Sequence, residues 1–161
     1  MIFNSIDFAI FLPIVFLLYW FVFNKNTKLQ NAFIVLVSYI FYGWWDWKFL
    51  ILIAFTSFVS WGSGLLIGKN NEHRQKQKII NILNIVVNIL ILCLFKYYNF
   101  FISSFADAFM EGDSSGLLLN IVLPVGISFY TFQALSYSID VYRGKVKPTK
   151  DAVQFFAFVS F

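Results

Sequence analysis

Apolar and polar positions fall along this chain in long blocks, not in a short alternation. Apolar runs cover residues 8–23, 31–45, 49–67, 79–95 and 117–139, and a further run opens at Ala152 and continues to residue 161. A helix needs about 20 mostly apolar residues to cross a bilayer, with a range of about 17–25. The pattern therefore predicts an all-α, polytopic integral membrane protein with about five transmembrane spans plus the start of another. The second run is short and is expected to borrow residues from its flanks, to tilt, or to end at the interface. Asp7 is the one charge before the first run, and no small-x-small cleavage site follows it, so that run is expected to be a retained span and not a secretory signal. Residues 96–116 separate the fourth and fifth runs. Their aromatic first half, 96–102, predicts an interfacial helix, and their acidic, Gly-containing second half predicts a turn. The last run has no polar residue to end it, so the chain is expected to be a piece truncated at its C-terminal end.

Composition narrows the class. Hydrophobic residues make up 60% of the 161 and charged residues 12%, and Phe alone counts 22. The mean hydropathy is +0.74. Soluble domains carry about 25% charged residues and leave much of their surface wet, so a water-soluble fold and a disordered chain are both excluded. Cys93 is the single cysteine and lies in an apolar run, which excludes a disulfide scaffold and predicts a small buried hydrophobe. The net charge of +4 is expected to reflect basic loops on one side of a membrane and not a nucleic-acid partner.

The loops give the orientation. Those at 24–30, 68–78 and 140–151 hold two, four and four Lys or Arg, which is ten of the chain's twelve. Cytoplasmic loops carry the excess of basic residues, so these three are expected inside and the N-terminus outside. Tyr42, Trp44, Trp45 and Trp47 then fall at the outer end of the second span, and Tyr19 and Trp20 near the inner end of the first, where amphipathic rings prefer the headgroup level.

Candidate chemistry is sparse. The chain has no GxxxxGK[ST] phosphate loop, HExxH zinc helix or GxSxG nucleophile elbow. One His and one Cys, twenty residues apart, supply no metal-ligand spacing, so no metal site is expected. His73 lies in a polar loop with nothing beside it in sequence to orient its ring, and is expected to be solvated. The informative feature is the polar content of the fifth run. Ser128, Tyr130, Gln133 and Tyr137 lie within it, and Asp140 follows it. Tyr130, Gln133, Tyr137 and Asp140 are spaced three, four and three, so they share one helical face. Arg143 follows Asp140 at i+3, within ion-pair reach if the helix continues. Pro124 lacks a backbone donor and Gly126 adds freedom, so the pair is expected to kink or break this span. A long polar stripe does not face lipid cheaply. It lines a cavity, or it is hydrogen-bonding glue between helices; the spacing alone allows both.

The segment LPVGISFYTFQALSYSIDVYRG at 123–144 resembles a signature stretch of the membrane-bound O-acyltransferase family, in its bacterial alginate O-acetyltransferase branch. Three further stretches agree in order: FNSIDFAIFLPIVFLLYW at 3–20, SYIFYGWWDWKFL at 38–50 and FKYYNFF at 95–101. The YTFQ and DVYRG elements fit this branch better than the D-alanyl transferases to teichoic acid. The resemblance implies that residues 1–161 are the N-terminal part of such a domain, a multi-spanning fold enclosing a tunnel in the inner (plasma) membrane. It implies transfer of an acyl group, acetyl in this branch, to an exported polysaccharide. Ser128, Tyr130, Gln133, Tyr137, Asp140 and Arg143 are then tunnel-lining or signature residues. The donor is acetyl-CoA or a related thioester, with no bound cofactor, and the partners are membrane lipid and a periplasmic acetyl-transferring protein. The family's catalytic His lies further C-terminal and His73 does not match it, so no catalytic residue is assigned here and the chain alone is expected to be inactive. The rival expectation is a non-catalytic integral membrane scaffold or transport-path component.

Overall fold

The computed structural model describes residues 6–23, 26–45, 47–109 and 126–160. Six α-helices are present among them: α1 (Ile6–Leu17), α2 (Thr27–Trp45), α3 (Trp47–Lys69), α4 (Arg74–Phe109), α5 (Ile127–Tyr142) and α6 (Ala152–Ser160). α1 runs on into a wider π-helical turn over Leu18–Val22. α2 begins four residues before the apolar run, where the Asn26 side chain accepts the Lys28 N–H at 3.0 Å. The second run thereby gains the flank it lacked.

Two helical segments are long and apolar enough to cross a membrane, Trp47–Lys69 and Arg74–Tyr98, while Ile6–Val22 is apolar and shorter. α4 corrects one expectation. Residues 96–102 form no separate interfacial helix, because α4 continues unbroken through them to Phe109. The physical reason is local: no Gly or Pro lies between Arg74 and Phe109, and a lone Lys96 does not interrupt the backbone ladder. Glu111, Asp113 and Pro124 lie outside the described residues.

The bundle has an apolar core that includes Ile53, Ile67, Ala134 and Phe155, but it also exposes large rings and buries small polar groups. Phe129 is 69% exposed and Phe58 60%, whereas Asn84 is 2% exposed and Asn88, Ser57, Ser60, Thr131 and Ser138 are fully buried. Exposed apolar rings together with buried polar groups suit lipid as solvent, since helices there associate through close packing and hydrogen bonds. α3, α4 and α5 form the centre. α6 packs on α2, α3 and α5, and α1 leans on α2 through ring contacts of Phe8 and Phe11 with Phe41, at 5.7 and 6.1 Å between centroids. α1 buries no residue.

Candidate functional site

Of the fifth run, residues 117–125 lie outside the described residues. α5 starts at Ile127, directly after Gly126, whose φ of 76° is left-handed and suits glycine. α5 then carries the polar stripe, and its members separate. Tyr130 and Tyr137 are buried, Ser128, Gln133 and Asp140 are half-buried, and Arg143 is exposed at the helix C-terminus. Tyr137 lies against Gly64 of α3 and the ring of Phe155 of α6, at 4.7 Å between centroids. Its hydroxyl accepts the backbone N–H of Thr149 at 3.0 Å. The Gln133 amide donates to the Phe158 carbonyl of α6. Tyr130 sits further up the helix, and its hydroxyl has no hydrogen-bond partner among the described residues.

The opposite side of α5 meets a polar face that the sequence analysis did not single out. Gln77, Asn81, Asn84 and Asn88 of α4 are all buried, spaced four, three and four along one face. Asn84 donates to Ser138 Oγ of α5 at 2.7 Å and accepts from Ser60 Oγ of α3 at 3.2 Å. Asn88 donates to the Asn84 side chain at 2.9 Å and to Ser60 at 3.3 Å. Ser138 donates to Asn81 at 3.4 Å, and Gln77 donates to the Ile67 carbonyl at 3.0 Å. Three helices are thus joined by neutral amides and hydroxyls. The seam continues upward into Ser57 Oγ, Thr131 Oγ1 and Asn88 Oδ1, which are buried without hydrogen-bond partners among the described residues.

A cleft of about 540 Å³ opens where α5, α6 and the loop between them meet. Tyr137, Asp140, Ser136, Lys147 and Gln154 supply its polar wall. Tyr137 and Asp140 are brought together here, while Tyr130 and Gln133 are not part of this wall. The same end of the bundle gathers the basic loops. Lys28 and Lys150 line one surface pocket, Pro148 packs on Gly68, and Arg74 donates to the Tyr142 carbonyl at 2.6 Å while lying 4.0 Å from the centre of that ring. Trp61 of α3 adds a bond to the Thr149 carbonyl at 3.1 Å. The three basic loops therefore share one end.

The seam and the cleft offer hydrogen-bond donors and acceptors in quantity and little acid–base chemistry. His73 is exposed on the turn before α4, and its backbone carbonyl accepts the Gln77 N–H. Cys93 is a free thiol, half-buried in α4. Among the described residues no group of three His, Cys, Asp or Glu side chains is placed to hold a metal ion.

No family model matches the chain, and no solved structure matches it. Curated proteins do. The chain is 37% identical, over 99% of its length, to the probable alginate O-acetylase AlgI of Pseudomonas aeruginosa and 36% identical to that of Azotobacter vinelandii. It is 31% identical, over 83% of its length, to the peptidoglycan O-acetyltransferase of Helicobacter pylori. The match covers 31%, 32% and 25% of those proteins respectively, so the chain spans about a third of the length of its alginate relatives. The match runs along nearly the whole chain: this sequence is homologous to part of the alginate O-acetylases, in a family of the membrane-bound O-acyltransferase type.

Proposed function

We propose that this chain is part of a membrane O-acyltransferase that moves an acyl group, acetyl in this reading, onto an exported polysaccharide. The observation that carries the reading is the 37% identity to an alginate O-acetylase along 99% of the chain. That a second relative is a peptidoglycan O-acetyltransferase supports polysaccharide as the acceptor class. In this reading five spans cross the inner membrane, the N-terminus lies outside, and the basic end faces the cytoplasm, where acetyl-CoA or a related thioester supplies the acyl group. A periplasmic partner receives or relays it.

Acyl transfer to a hydroxyl needs a base at the acceptor and hydrogen-bond donors for the oxyanion that develops on the thioester carbonyl. The α5 face, with Ser128, Tyr130, Gln133, Tyr137 and Asp140, contributes polar contacts along the path of the acyl group, and Arg143 lies at its cytoplasmic end. The base is not among them, and the chain's one histidine is an exposed loop residue. The chain by itself is therefore inactive in this reading.

Two measurements test the reading. In the first, this chain replaces the matching third of the P. aeruginosa relative in cells that lack that protein. Restored O-acetylation of the polysaccharide is the expected result. A chimera present in the membrane at normal level yet without acetylation counts against the enzyme and favours a scaffold. Tyr130→Leu, Gln133→Leu and Tyr137→Leu in the chimera are expected to lower acetylation at unchanged membrane level. In the second, the purified chain is placed in liposomes with acetyl-CoA and polysaccharide, and no turnover is expected. Turnover that His73→Ala abolishes overturns the inactivity and the dismissal of His73 together.

A further inference from the structure

We infer that the groove between α2 and α6 binds one anionic phospholipid, with its phosphate between Lys28 and Lys150 and one acyl chain lying along α2. The groove holds about 640 Å³ and is walled by Leu36, Ile40 and Gly43 of α2 and Leu50 of α3. At the basic end it opens into a polar mouth of about 450 Å³ walled by Lys28, Lys150 and Asp151. Ala32 and Val153 line both, so groove and mouth form one continuous path, apolar along its length and charged at its entrance.

Length, polarity and charge fit this occupant. From Ala32 to Gly43, α2 rises about 16 Å at 1.5 Å per residue. One leaflet of a hydrocarbon core about 30 Å thick is about 15 Å deep, the reach of a single acyl chain. Leu36 is 56% exposed and Ile40 48%, so the groove is open at the side on which lipid would enter. At the mouth, both lysines are exposed, while Asp151 Oδ1 accepts the Gln154 N–H at 3.3 Å at the start of α6. The carboxylate is thus engaged as the cap of its helix. Two cations against one engaged anion leave a net positive entrance, which favours a headgroup of net negative charge over a zwitterion. The inference rests on the membrane reading and is independent of acyl transfer.

The test is native mass spectrometry of the purified chain in detergent, titrated with phosphatidylglycerol or phosphatidylethanolamine. One phosphatidylglycerol per chain should be retained in preference to the zwitterion. A basic residue near a headgroup is worth about 1 kcal/mol, so Lys28→Ala or Lys150→Ala should each weaken retention about 5-fold and the double variant about 25-fold. Lys145→Ala, on the same loop and outside the mouth, should leave it unchanged. Equal retention of the two lipids, or an equal loss with Lys145→Ala, overturns the proposal. So does displacement by soluble glycerol phosphate at matched concentration, which would make this a site for free phosphate. A second measurement needs no variant. Photoreactive phosphatidylglycerol should crosslink to residues 32–43, and adducts confined to α4 or α5 overturn the site. A chain that resists alkaline extraction from membranes yet shows no lipid preference loses the site and keeps the membrane reading.

Discussion

At the scale of single residues, Gly64 lets α5 approach α3 closely. A Cβ at that position would stand 2.5 Å from Tyr137 Cε1 and 2.9 Å from its hydroxyl oxygen. A side chain there displaces a ring that is also held by Phe155 and by the Thr149 N–H. Gly62, half a turn away on α3, has nothing within 4 Å. Gly64→Ala is therefore expected to destabilise the folded chain by about 1–3 kcal/mol through overpacking. Gly62→Ala should be neutral or stabilise by up to about 1 kcal/mol, the difference in helix propensity. Unfolding of the two variants in mixed micelles, followed by circular dichroism, compares them directly. Equal stabilities would show that α3 and α5 do not meet at Gly64. The glycine is visible in the sequence, but its need for a bare backbone is not, because the ring that fills the space is 73 residues away.

At the scale of elements, the seam of amides and hydroxyls ties α4 to both of its neighbours. Asn84 takes part in bonds to α3 and to α5, so Asn84→Leu removes two interhelical contacts and leaves Ser60 and Ser138 short of a partner. Interhelical hydrogen bonds in membranes are worth about 0.6 kcal/mol on average and up to about 1.7. The expected cost is about 1–3 kcal/mol, read as a lowered unfolding midpoint. Leu83→Ala, one residue earlier on a side chain 58% exposed, should stay within about 0.5 kcal/mol of the parent. If both changes cost the same, the seam contributes nothing specific. The spacing of Gln77, Asn81, Asn84 and Asn88 is plain in the sequence as one helical face. An amide in an apolar run does not reveal its partner, however: a neighbouring helix, water or a lumen would each satisfy it.

At the scale of the whole molecule, charge and apolar surface are sorted. Three basic loops lie at one end, and large apolar side chains cover the flanks. Exposed aromatic residues mark the helix ends, with Trp44 68% and Trp47 63% exposed where α2 hands over to α3, and Trp20 54% exposed near the end of the first apolar helix. The orientation that follows from the basic loops predicts that a cysteine at position 75, introduced as Gln75→Cys with Cys93→Ser, is protected from an impermeant thiol reagent in intact cells. It should react once the cells are opened. Trp44→Cys should react in intact cells. Labelling of position 75 from outside would reverse the orientation and, with it, the side from which a thioester donor would enter.

The sequence by itself determined the helical class and the grouping of basic loops. Each of these follows from neighbours along the chain: an apolar run long enough to span, and a charge that stays at the aqueous end. The sequence did not reveal the continuity of α4: the aromatic stretch at 96–102 reads as a separate interfacial helix, and only the structure shows α4 running through it to Phe109. Only the tertiary structure decided the partners. Tyr130, Gln133, Tyr137 and Asp140 share a face by periodicity, yet Tyr137 meets a loop N–H, Gln133 a carbonyl of α6, and Asp140 the wall of a cleft. Ser138, on the other side of the same helix, meets Asn84. Periodicity fixes the angle at which a side chain leaves its helix. Which helix stands opposite, and how far it has slid along the axis, depends on packing among residues distant in the chain, and that is settled only when small residues such as Gly64 and Ser60 let the backbones close.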